Sequence, residues 1–170
     1  MNKLVLFCVE TRTDADTDWP YIQRTIKRFY IEDRKIVRRH ICMGTKTKYK
    51  SRAVIRKIDN YRKEYNNKIT VIYCIDIDNY DISTETKELV NDIKEYCEIN
   101  HYDFVFFCKD VEDVYWGEQV DKKAKVQKAK SFNKSNRIDS VEESQLRKTI
   151  FTKNSSNILA VLDRYFIKKC

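Results

Sequence analysis

Four short strand-like runs, separated by segments with helical spacing, constrain this chain more than any other feature. The runs are Leu4–Val9, Ile36–Met43, Ile69–Ile75 and Tyr102–Cys108. Between them lie Trp19–Tyr30, a segment from Ser51 to about Tyr65, and one from Ser83 or Thr84 to about Glu98. Asp18 is the expected N-cap of the first helix, with Pro20 in its opening turn. This alternation predicts an α/β fold: a Rossmann-like parallel sheet of about four strands, helices on both faces, and right-handed crossovers. The first, third and fourth runs are almost uninterrupted in apolar residues, as strands covered on both faces must be.

The pattern changes after Cys108. Residues 1–110 read as the α/β core, and residues 111–170 as a basic, helical C-terminal extension packed on the same domain. Glu118–Arg137 is rich in lysine and thin in apolar residues, which predicts a partly exposed helix and then a loop. Val141–Ile150 and Ser155–Phe166 read as two closing helices. The pair Tyr115-Trp116 is expected to pack a helix against the sheet rather than stack on a base.

Only two glycines are present, so glycine-rich phosphate loops of the P-loop or dinucleotide type are excluded. No apolar run approaches membrane-spanning length, and the first residues lack the features of a secretory signal. A cytoplasmic protein is expected. The six cysteines form no C-x-x-C pair, and they read as small buried residues of a reduced core.

The third apolar run closes in Cys74-Ile75-Asp76-Ile77-Asp78. Side chains alternate along a strand, so Asp76 and Asp78 point the same way. Two carboxylates on one side call for a positive charge between them, and a divalent cation held by oxygens is the usual answer. Ligands of open parallel sheets bind at the carboxyl ends of the strands. Glu10, Asp76, Asp78 and Asp110 all fall there, and Asp14 lies in the loop after the first strand. Asp14-x-Asp16-x-Asp18 resembles the start of a calcium loop, but Trp19 and Thr25 stand where glycine and an acid are needed.

A formal charge of +8 favours an anionic partner, nucleic acid first. The segment Gly44–Arg52 follows the second strand, and its Lys46, Lys48, Lys50 and Arg52 are candidate phosphate contacts. Lys122 and Lys123, which open the second basic stretch, are further candidates.

An apolar strand ending in Glu10, a helix, and a later strand ending in Asp76-Ile77-Asp78 resemble the Toprim catalytic domain. The resemblance spans roughly residues 3 to 110. The small size and C-terminal helices look like stand-alone Toprim proteins of the RloB and abortive-infection type, or like the overcoming-lysogenization-defect nucleases. It implies Mg²⁺ or Mn²⁺ on Glu10, Asp76 and Asp78, with Asp14 as an additional ligand through water. The implied reaction is phosphodiester cleavage or transfer on DNA or RNA, in a phage-defence or mobile-element setting. Thr11 departs from the pattern, since Toprim proteins often carry glycine directly after the glutamate. The second expectation is a catalytically inactive Toprim-like module that binds nucleic acid or protein. A protein partner or a homo-oligomer is compatible with either, and a flavodoxin-like or receiver-like α/β domain is a third expectation.

Overall fold

The computed structural model describes residues 2–78, 80 and 83–169. Its four strands are β1 (Lys3–Val9), β2 (Ile36–Cys42), β3 (Ile69–Ile77) and β4 (Asp103–Cys108). They form one all-parallel sheet in the order β2-β1-β3-β4. Helices α1 (Asp18–Phe29), α2 (Arg52–Glu64) and α3 (Thr84–Ile99) make the crossovers. The α/β expectation holds, and element ends differ by one or two residues. Thr17, not Asp18, occupies the cap position of α1.

The alternation along β1 sorts the core into two layers. Val5, Phe7 and Val9 face α1 and the C-terminal elements, while Leu4, Leu6 and Cys8 face α2 and α3. Each half of the strand needs an apolar partner, so neither face of the sheet is left to water. Ser51 and Ser83 start α2 and α3 by accepting the backbone N–H of Val54 and Thr86.

The C-terminal extension packs on the α1 face. It comprises α4 (Val111–Trp116), α5 (Lys125–Lys134) and α6 (Ile158–Leu162), with 3₁₀ turns at Arg137–Ser140 and Glu143–Arg147. Tyr115 is buried against Tyr21, and the Trp116 indole donates to the Tyr21 hydroxyl at 2.9 Å. The aromatic pair therefore packs, as its sequence setting suggests.

Two expected helices are not formed as read. Val141–Ile150 holds only the second 3₁₀ turn, and the helix within Ser155–Phe166 is confined to Ile158–Leu162. Long-range backbone bonds explain both. Ser156 donates to Gln145 and accepts from Lys148, while the Ser155 carbonyl accepts the N–H of Cys108 at 2.9 Å. Those groups are then no longer available for a helix ladder.

Residues 155–157 thereby cover the open edge of β4. Asn157 completes this by accepting from the Phe106 N–H and donating to the Phe104 carbonyl, both at 2.9 Å. One side chain thus occupies backbone groups that another chain's strand would otherwise pair with. Asn157→Leu is expected to cost about 1–3 kcal/mol in urea denaturation, because two backbone groups lose their partner. A loss below about 0.5 kcal/mol would contradict that role.

Candidate functional site

The sheet order places β1 and β3 side by side at the centre. From β1 the chain crosses to one side, towards β2, and from β3 to the other, towards β4. The crevice of such a sheet opens where the crossovers diverge, at the carboxyl ends of these two strands. In the register Val9 lies opposite Cys74, so Glu10 comes level with Ile75, one residue short of Asp76. The contact is direct, because the backbone N–H of Asp76 donates to Glu10 Oε1 at 2.8 Å.

More acids converge there than were expected. Asp18, at the start of α1, is only 5% exposed, and its carboxylate meets the Thr17 hydroxyl at a long 3.3 Å. Glu112, in the first turn of α4, is 1% exposed, and its Oε1 has no partner among the described residues. Asp110 accepts the Asp113 N–H as the cap of α4. The chain reaches this cap through Lys109, whose left-handed backbone (φ 63°) turns it sharply off β4.

Two lysines answer these acids. Lys46 is 15% exposed in its side chain and donates to the Asp76 carbonyl at 2.7 Å and to Asp78 Oδ2 at 2.9 Å. Lys125 reaches Asp110 at 2.8 Å and Glu112 at 2.9 Å. Burial works against both ammonium groups, but the surrounding carboxylates outweigh it and raise their pKa. Lys46, expected among the phosphate contacts, is thus drawn into the acid cluster. Lys125, in the stretch expected to form a partly exposed helix, is drawn in as well.

The remaining imbalance shows in the acids. Burial, offset in part by Lys46 and the Asp76 N–H, lifts Glu10 to about 7. Asp76 is raised well above the carboxylate range by burial and then by Asp18, Glu10, Asp110 and Asp78. Asp18 is raised by burial and then by Glu112 and Glu10. Six desolvated or partly desolvated carboxylates therefore share two ammonium groups. That donor set, all oxygen and short of positive charge, fits a hard divalent cation.

The other expected site residues fall differently. Asp78 keeps 55% of its side chain exposed and faces the crevice mouth beside Lys46. Asp14 stays outside the cluster, exposed and paired with Arg12 at 2.9 Å. Lys48, Lys50, Arg52, Lys122 and Lys123 are all exposed. Thr11 lies outside the positive-φ region, so its backbone does not need the conformational freedom of glycine.

Asp18, Glu112 and Lys125 were missed as site residues. Asp18 is an ordinary helix-cap type before an apolar helix, and only its burial reveals another role. Acids following the fourth strand at 110, 112 and 113 were the available signal for Glu112. A separate group was missed too. Among the described residues, Asp16, His40 and Cys42 each bring one potential metal-ligating atom within 4.8 Å of one another. The ligand atoms of Glu10, Asp76 and Asp78 are spread more widely, with the Lys46 ammonium near them. His-x-Cys on a strand was the readable signal, since it puts both side chains on one face.

Compared with protein-family models, curated proteins and solved structures, the chain matches none of them.

Proposed function

We propose that this protein is a divalent-cation-dependent phosphoryl-transfer enzyme that cleaves DNA or RNA. The observation that carries the reading is the direct contact of Glu10 with Asp76 at the diverging crossovers, inside a partly buried excess of carboxylates. Glu10, Asp76 and Asp78 would hold Mg²⁺ or Mn²⁺. When bound, the ion supplies positive charge at the scissile phosphate and lowers the pKa of an attacking water.

The protein's own groups do the rest. Without the ion Glu10 is lifted to about 7, so near neutral pH it carries a proton part of the time and would release it when the ion binds. Burial raises Asp18 and Glu112 as well, so a bound cation would relieve the cost of ionising them. The basic residues of the two flanking segments lie close in sequence to the lysines of the cluster. Lys48, Lys50 and Arg52 follow Lys46, and Lys122 and Lys123 precede Lys125. Exposed cations flanking an acidic cleft can hold a polyanion backbone across it. The order of Glu10 and Asp76-x-Asp78 on adjacent strands supports the likeness to Toprim domains.

One observation favours a second reading, a non-catalytic binding module. The Lys46 ammonium already lies against Asp76 and Asp78, where a cation would be needed. The two separate in one experiment. Plasmid DNA and single-stranded RNA are incubated with the chain in Mn²⁺, in Mg²⁺ and with chelator. Cleavage with either ion, abolished by chelator, is expected. Binding that is unchanged by chelator, with neither polymer cut, would establish the module instead.

A further inference from the structure

We propose that Asp16, His40 and Cys42 form a second metal site, for a borderline ion of the zinc class, distinct from the carboxylate cluster. The three residues supply one oxygen, one nitrogen and one sulfur, a set that suits zinc or cobalt and is poorly matched to magnesium.

The fold builds this set from two elements. His40 and Cys42 are two apart on edge strand β2, so both project to the face that α1 covers. Asp16 comes from the loop between β1 and α1 and meets His40 Nε2 at 2.7 Å. Bonds of about 2.0–2.3 Å in a tetrahedron separate ligand atoms by roughly 3.3–3.7 Å. All three observed separations fall within 4.8 Å, so small side-chain adjustments suffice.

Outer contacts hold the ligands in place, as metal sites require. Thr11 donates from its hydroxyl to Asp16 Oδ1 at 3.2 Å. The Trp19 ring stacks on His40 at 4.7 Å between centroids, fixing the imidazole plane. Thr11 thus has a use at the position where a glycine was expected. Cys8, Cys74, Cys97 and Cys108 are buried, whereas Cys42 is half-buried. It borders a cleft of about 500 Å³ that is also lined by Thr13, His40, Lys57, Asn60 and Glu64. The cleft leaves room for water or a substrate atom as a fourth ligand, the arrangement of catalytic rather than structural zinc. Binding converts the Cys42 thiol to thiolate and releases its proton to solvent, along with any proton carried by His40 Nε2.

The test is a Co²⁺ titration of the full chain, followed by absorption spectroscopy. A thiolate bound to cobalt gives an intense near-ultraviolet charge-transfer band, and tetrahedral geometry gives strong visible bands. Carboxylate-bound cobalt gives neither. One equivalent per chain with both signatures, displaced by Zn²⁺, is expected. Cys42→Ser should remove the charge-transfer band. His40→Gln should keep it and weaken binding at least about tenfold. Asp76→Asn should leave spectrum and affinity unchanged, which also separates this site from the nuclease reading. Absence of the band in the wild type, or its survival in Cys42→Ser, would overturn the proposal. Circular dichroism of each variant shows whether it is folded, and should Cys42→Ser not fold, His40→Gln carries the test.

Discussion

Asp76→Asn is expected to lower Mn²⁺-dependent cleavage by about 10²–10³-fold, the usual cost of deleting one preorganised electrostatic group. Asparagine keeps the size of the side chain and leaves its backbone N–H to hold Glu10, so the neighbourhood is retained. What disappears is one negative charge in a place where every principal influence on Asp76 pushes against ionisation. Among the described residues no hydrogen-bond donor meets that carboxylate. A half-buried anion with like-charged neighbours and no donor is costly unless a cation completes it. The variant should therefore lose activity while gaining stability without metal, by roughly 1–3 kcal/mol at pH 8. Single-turnover cleavage at saturating Mn²⁺, with thermal melts of the same samples, checks both. A variant that keeps wild-type cleavage removes the site; one that loses both activity and stability has only damaged the fold.

The second large effect concerns pH. Glu10 is raised to about 7 in the folded protein, against an ordinary value of 4.5. Between those values the folded state holds a proton that the unfolded state has released. Unfolding free energy must then fall as pH rises through that window, by at most roughly 3 kcal/mol from this group. The stability is fully present below about pH 4.5 and gone above about pH 7. Asp76 and Asp18 act in the same direction, since both are also raised. Other carboxylates oppose it. Asp163 is lowered because Arg147 and Tyr30 outweigh its burial, and Glu143 is lowered first by Arg147. The clean readout is the difference between wild type and Glu10→Gln. Without divalent ions, the variant should be the more stable at pH 8, and the two should converge near pH 4.5. Mn²⁺ should close the gap at pH 8, because the ion replaces the missing proton. Equal pH slopes for the two proteins would show that Glu10 is not strained as described.

Residue spacing alone specifies the elements and where the acids fall along them. Apolar runs with helical segments between them specify parallel strands with crossovers, because each strand needs both faces covered. The alternation along β1 also assigns each residue to a core layer before any contact is known. Glu10 and Asp76 were readable as strand-end acids for the same local reason.

Which strand ends become neighbours depends on long-range packing. Nothing local to residues 10 or 76 says that β1 lies between β2 and β3; that follows from how the helices pack and the crossovers turn. Asp18 passed for a helix cap, and Lys46 and Lys125 passed for surface cations, because their types and neighbours are ordinary. Only packing removed them from water, and burial is what turns a common charge into a paired or strained one. The helices expected across 141–166 were shortened for the same reason. Backbone groups that helical spacing assigns to a local ladder were taken instead by the open edge of β4, a partner about fifty residues distant in sequence.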